Sequence, residues 1–330
     1  MRRIVGLVLL GLGVFLLVLG PMLRFYAAPR LLVAPLDQFS QTVSEAEDVT
    51  YLDIGALEVR TGRSFEATRT VRGDVGAGDD DRAVYDVFVK IMDPEKPGSG
   101  EEQLVSANTD RVAFDRQTSE AINCCDENLN GEPVVHEGIE YKFPFGTEQR
   151  TYQYFDTSIA AAADMVFVGE DTIEDLDVYE FEQRIEPTKI AELDVPGDLI
   201  GSDEQSVAVD RYYSNTRHVW VEPVTGVIVR GEEEQFSTLR QGDEDVLTIT
   251  EANLSFNEAT VTAQAEAARE GKSSASLVNS TGPTVAVILG LILLVLGVLL
   301  ARRTEDENTD GEAYGPRAES ERSSVLLTKG

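Results

Sequence analysis

Cys124 and Cys125 are the only cysteines of this 330-residue chain, and they are adjacent. In an oxidising compartment two thiols in one chain invite a bridge, and adjacency makes each the other's partner when the bridge is internal. Such a bridge closes a small ring and clamps the local backbone; a pair of free thiols and a redox switch are the alternatives. The next residues, Asp126-Glu-Asn128-Leu-Asn130-Gly131-Glu132 through Glu137, have the spacing of a calcium loop. Oxygens at alternate positions and a glycine at the sharp bend suit a hard cation. That reading takes Asp126, Asn128, Asn130, Glu132 and Glu137 as ligands, and calcium is the one cofactor the sequence offers. Pro133, strand-like flanks and two neutral Asn ligands favour a plain connecting loop instead.

The densest aromatic stretch follows: Tyr141, Phe143 and Phe145, then Tyr152, Tyr154 and Phe155. Alternation puts Tyr141, Phe143 and Phe145 on one face of a strand over a core, with Pro144 marking an edge or a bend. Left exposed, the six aromatics would line a lipid or sugar site. Neither a phosphate-cradling glycine loop, a zinc-spaced His/Cys set nor a Gly-x-Ser-x-Gly elbow occurs. His136 lies near the cysteines without a recognisable nucleophile beside it. The chain is expected to act without catalysis.

The elements that must position these residues read as strands. From Thr50 onward, short period-two runs such as 84–91, 207–213 and 246–249 alternate with Gly/Asp/Pro turn clusters, the pattern of an antiparallel meander. Segments 112–122 and 219–229 share an order of apolar alternation, an acid, and Thr before a small residue, which is hairpin chemistry. Helices are expected at 259–269, behind the N-cap Asn257, and over the alanine-rich 158–167. Residues 27–50, with Pro29 and Pro35, read as an extended lead, and 271–281 as a small polar spacer.

Two apolar runs enclose this body. Ile4–Leu23 holds 20 uncharged residues, and at ~1.5 Å per helical residue it matches the roughly 30 Å of a bilayer core; Thr284–Ala301 is its counterpart. Both are expected to span the plasma membrane. Arg2, Arg3, Arg302 and Arg303 place both termini in the cytoplasm. The first run exceeds the ~7–15 residues of a secretory signal core, and Pro29 follows the candidate cut, so an uncleaved anchor is favoured. The resulting layout is 1–3 cytoplasmic, 4–23 helix, 24–283 an extracytoplasmic β-rich domain, 284–301 helix, and 302–330 a disordered cytoplasmic tail. Gly6, Gly13 and Gly20 recur every seven residues, as do Gly290 and Gly297, so each set lines one helix face and suits close helix packing. Net charge is −31, nearly all of it between the helices, which excludes nucleic acid as a partner and leaves membrane lipids and other envelope proteins.

The fold class expected is mainly β (α+β), an antiparallel β-rich ectodomain between terminal transmembrane helices. Asp115-Arg-Gln-Thr with Asn123-Cys-Cys, Gly138-Ile-Glu-Tyr-Lys-Phe-Pro-Phe-Gly-Thr-Glu, Thr151 to Asp156, and Trp220-Val-Glu-Pro-Val-Thr-Gly-Val-Ile228 together resemble the actinobacterial porin PorA family over nearly the whole chain. That resemblance implies a cell-envelope location. The layout of a helix at each end of a β-rich domain is also similar to class B scavenger receptors, which pass lipids through a tunnel. It supplies the leading expectation, binding or transfer of an apolar envelope component; the alternatives are a porin or channel component, and a structural or sensory scaffold.

Overall fold

The computed structural model describes residues 2–309 and resolves into two units, taken separately below. The larger unit, Pro29–Ser276, is built on strands. They are β1 (Phe39–Asp53), β2 (Glu58–Gly73), β3 (Arg82–Met92), β4 (Leu104–Asp115), β5 (Asn128–Leu129) and β6 (Glu132–Pro133), then β7 (Tyr152–Asp156), β8 (Ala161–Ile173), β9 (Leu176–Pro196), β10 (Ser206–Glu222), β11 (Val227–Gln241) and β12 (Glu244–Phe256). All lie in one antiparallel sheet, ordered β6-β5-β4-β3-β2-β1-β12-β11-β10-β9-β8-β7. Each half is therefore a meander, and the halves join where the first strand pairs with the last, Ser44 opposite Phe256 and Tyr51 opposite Thr250. The chain is mainly β, as expected, and the curved sheet forms a half-barrel.

Strand twist curls such a sheet, and here its two sides meet at one end. Phe114 of β4 bridges to Ala121, Glu120 to Ile139, and Ile139 to Tyr154 of β7. The Ile139 amide donates to the Gln153 carbonyl at 2.8 Å, and its own carbonyl accepts from Phe155 at 2.9 Å. Gly138 makes this approach feasible. Its φ is +71°, and a Cβ there would sit 2.2 Å from the Gln153 oxygen, so no other residue fits without moving the backbone.

Apolar side chains fill the concave side in patches. Phe143, Tyr152, Tyr154, Met165, Phe181 and Val219 pack at the seam end, Val71, Tyr85, Val112 and Phe114 along β2 to β4, and Tyr51, Phe65 and Leu254 near the β1/β12 junction. On the other face, α3 (Glu258–Ser276) lays Ala265 and Ala268 over Val178, Trp220 and Val229. Asn257 caps it, its Oδ1 accepting from the Thr260 amide at 3.0 Å. The Thr260 hydroxyl in turn donates to the Val43 carbonyl at 3.1 Å, tying helix to sheet.

Several local expectations are corrected. Residues 158–167 are a turn and the start of β8 rather than a helix. Asp156 Oδ1 accepts from the Ser158 and Ile159 amides, Ala160 reverses the chain at φ +50°, and Ala161 to Met165 pair with β7. Ladder pairing outweighs the helix propensity of three alanines. The lead at 27–50 is not extended throughout, since α2 covers Ala28–Leu31. The spacer 271–281 is helical: α3 runs to Ser276, and a π-helical turn covers Leu277–Thr281. Segment 141–145 is irregular, with Tyr141 at φ +56°, so its alternate aromatics do not share a strand face.

The second unit contains α1 (Arg2–Met22) and α4 (Gly282–Thr309), two helices long and apolar enough to cross a membrane. They pack antiparallel. A Cβ on Gly6 would meet the Gly297 carbonyl oxygen at 3.2 Å, one on Gly13 that of Gly290 at 2.9 Å, and one on Gly20 that of Pro283 at 3.0 Å. Of the tail 302–330 expected to be disordered, residues 302–309 continue α4, and 310–330 lie outside the described residues.

The seam predicts that Gly138→Ala destabilises the protein by about 1–3 kcal/mol from its backbone conformation alone, with the Gln153 overlap adding to it. Denaturant or thermal unfolding in detergent measures this; an unchanged midpoint would remove Gly138 from the closure argument.

Candidate functional site

The concave side of the half-barrel is not uniformly apolar. Residues 213, 215, 217 and 219 of β10 point inward by strand alternation, and the third of them is an arginine. Arg217 Nη2 donates to Asp156 Oδ2 at 3.0 Å, Nε to Glu233 Oε1 at 3.1 Å and Nη1 to Gln183 Oε1 at 2.6 Å. Gln183 Nε2 passes a hydrogen bond to the Tyr154 carbonyl at 2.7 Å, and Asn215 Nδ2 donates to Glu233 Oε2 at 3.1 Å. Arg69, from β2, reaches the same region and has its Nε buried without a hydrogen-bond partner.

Space remains around this network. One cavity of about 180 Å³ is bordered by Arg69, Asn108, Tyr213, Arg217 and Glu233. An adjoining cavity of about 390 Å³ shares Asn108, Tyr213 and Gln235 with it and adds Arg211. The half-barrel thus encloses space whose lining mixes charged and amide side chains with apolar ones such as Val89, Ile91, Val219 and Leu254.

Burial works against ionisation of Glu233, but Arg217 and Arg69 hold its carboxyl down at about 2. Burial likewise opposes charge on Arg217, and Glu233 with Asp156 outweighs it, so the guanidinium keeps its proton more tightly than usual. At neutral pH Arg217 lies between Asp156 and Glu233, desolvated and hydrogen-bonded to both, with Arg69 as a second cation beside Glu233. Such a group specifies one arrangement of β7, β9, β10 and β11.

The six sequence-selected aromatics divide. Phe143, Tyr152, Tyr154 and Phe155 are buried; Phe143 stacks 4.8 Å from Phe181 and 5.3 Å from Tyr152, centroid to centroid. They fill the seam end solidly. Tyr141 donates its hydroxyl to Asp110 Oδ2 at 2.7 Å, and Phe145 lies 4.1 Å under the Lys142 ammonium. Burial pushes that ammonium down to about 7, although it donates to the Phe143 and Thr225 carbonyls. Cys124 and Cys125 form a disulfide.

The calcium-spaced stretch folds as a hairpin. Asn130 and Gly131, both at positive φ, are the two-residue turn between β5 and β6, a sequence suited to a tight hairpin. The Asn128 Oδ1 accepts from the Gly131 amide and the Asn130 Oδ1 from the Thr109 amide, while Glu132 and Glu137 are exposed. The Arg217 network went unnoticed in the sequence because Asp156, Gln183, Arg217 and Glu233 are scattered over four strands. Its one local signal is a charge at an inward position of an alternating run.

A family model described as porin PorA matches residues 5–299. A porin PorA of Corynebacterium amycolatum is 26% identical over 383 residues, covering 90% of this chain and 98% of the relative. A second, from Corynebacterium resistens, is 26% identical over 412 residues, covering 92% and 98%. These matches overturn the expectation of a lipid carrier in favour of its porin alternative. The physical picture agrees in part: the aromatic segment meant to border an apolar tunnel packs mostly into the core, and the open space beside it sets Arg69, Arg217 and Glu233 among apolar side chains such as Val89, Ile91 and Val219.

Arg217→Met leaves Asp156 and Glu233 buried without their cation and should cost about 3–5 kcal/mol. The pH dependence has a definite sign. Because the folded carboxyl of Glu233 lies near 2 against an ordinary 4.5, its stabilisation is complete above about 4.5 and fades as pH falls towards 2. Melting temperature against pH should therefore fall less steeply over that window for Glu233→Gln than for the unaltered protein. Parallel curves would show that the pair contributes nothing.

Proposed function

This chain belongs to the porin PorA family, and on that premise we propose that it is a channel-forming component of the cell envelope, a membrane protein without enzymatic activity. The family match across 5–299 carries the reading. The sequence and geometry then restrict how such a channel is made.

A strand that crosses a bilayer turns an apolar band outward. The outward faces of β9 to β11 instead present Glu180, Glu182, His218 and Glu232, with His218 Nδ1 2.9 Å from Glu180 Oε1 and Glu232 opposite His218 in register. In this reading α1 and α4 cross the membrane and the half-barrel lies in water. No charged residue falls within 4–23 or 284–301, and the facing glycines seal one helix to the other, so one copy provides no ion path. Conductance then belongs to an assembly of several chains. The chain's net charge of −31 raises the local cation concentration and lowers that of anions.

Reconstitution of the full-length protein in planar bilayers tests this. Stepwise conductance is expected, with a reversal potential in a KCl gradient showing cation preference that weakens as salt rises. Gly13→Val, which forces the helices apart, should abolish the steps while the half-barrel melts unchanged. A folded, reconstituted protein that stays silent at every protein-to-lipid ratio would sink the channel reading.

A further inference from the structure

Beside the seam lies a side-chain group that the channel reading does not use. Asp110 of β4 and His136 and Glu140 of the closing segment gather their Oδ, Nε2 and Oε atoms within 4.8 Å of one another. His136 Nε2 is 3.0 Å from Asp110 Oδ1 and 3.7 Å from Glu140 Oε2. All three side chains are buried: 0%, 4% and 5% exposed for His136, Asp110 and Glu140. Both Glu140 carboxylate oxygens lack any hydrogen-bond partner. A buried, unpaired carboxylate aimed at an imidazole and a second carboxylate is costly unless a cation joins them.

The surroundings are those of a metal ligand set. His136 Nδ1 lies 2.9 Å from Glu127 Oε2, the carboxylate-to-imidazole contact that orients a ligating histidine from behind. Tyr141 holds the far oxygen of Asp110, turning Oδ1 towards His136. The Phe155 ring, 4.6 Å from the imidazole centroid, walls the group off from water. Donor atoms on a tetrahedral ion with ~2.0–2.2 Å bonds lie roughly 3.3 Å apart, a value the two observed separations bracket. One nitrogen and two carboxylates suit a divalent transition ion better than calcium, which takes about 6–8 oxygens.

We propose that Asp110, His136 and Glu140 form a buried site for a divalent transition-metal ion, with Zn²⁺ the natural occupant by ligand chemistry and Glu127 as the positioning residue. Without the ion both imidazole nitrogens face carboxyl groups, so both carry protons; binding displaces the Nε2 proton and that of the Glu140 carboxyl to solvent and replaces the His136 hydrogen bond to Asp110 with a metal bond. His136 and Glu140 flank Ile139, the residue that bridges to both Glu120 and Tyr154. The metal therefore fastens the closing segment to β4 and strengthens the seam. Asp110 sits 26 residues before His136, outside any short zinc motif, and Asp126, Asn128, Asn130, Glu132 and Glu137 are not among the ligands.

The test uses full-length protein in detergent, stripped with chelator and dialysed against Zn²⁺, with metal counted by mass spectrometry and stability followed by melting. One tightly held Zn²⁺ per chain and a higher melting temperature are expected. Glu140→Gln is neutral and nearly the same shape, so it should fold at least as well without metal, yet lose at least tenfold in Zn²⁺ affinity. Glu127→Gln should weaken affinity about 10–100-fold, as outer-shell changes do. Co²⁺ in the same site should give the visible absorption of a low-coordinate ion. No retained metal in the unaltered protein, or equal retention and equal melting shifts in Glu140→Gln, would overturn the proposal and leave an ion-paired histidine cluster.

Discussion

The half-barrel depends on one short contact, the backbone bridges that Ile139 makes to both sides of a sheet otherwise open at its ends. An unpaired strand edge is a template for association with other chains, and this sheet has two, at β6 and β7. The chain solves the problem locally. The segment between those edges is threaded back between them, with Gly138 giving up its side chain so that the Gln153 carbonyl can approach. Gly226 serves the same end: its φ is +72°, and a Cβ there would lie 2.1 Å from the Phe143 carbonyl oxygen, where the β10–β11 turn meets the irregular segment after Tyr141.

Once the seam is closed, the concave side becomes an interior and its charges become expensive. Two solutions appear. Around Arg217 the guanidinium's own partners, Asp156, Gln183 and Glu233, are supplied by the protein, and neighbouring strands are keyed to one another through it. Around His136 the protein supplies acids on both sides of the ring and leaves Glu140 without a hydrogen bond. The guanidinium at the centre of the first group is satisfied by protein, whereas the Glu140 carboxyl at the centre of the second is not.

Much of the architecture was legible from alternation and punctuation. The runs 84–91, 207–213 and 246–249 are all strands, and Asn257 caps a helix. The two echoing segments are both acid-capped turns: Asp115 Oδ1 accepts from the Gln117 and Thr118 amides, and Glu222 Oε2 from the Thr225 amide. What failed did so for physical reasons. Three alanines at 161–163 look helical alone and become strand because β7 lies beside them. Asp126 to Glu137 matches a cation loop by spacing, and its Asn-Gly pair forms the hairpin turn of the plain connecting loop that Pro133 and the strand-like flanks favoured. The pairing of β1 with β12 and the meeting of Asp110 with His136 are long-range facts that no local pattern carries.

A porin family name suggests strands in lipid, and this chain argues for a different division of labour. The strands place acid and histidine on one face and buried charge networks on the other, so neither face resembles the apolar band that lipid requires. The apolar helices satisfy their own backbone hydrogen bonds, which is what spanning demands, but they are uncharged and closed against each other at glycine. Bilayer-length apolar helices and most of the charge are thus carried by different units of one chain. Under the proposed channel reading a path for ions needs several copies, because the close glycine contacts between the two helices of one copy leave no room for water between them.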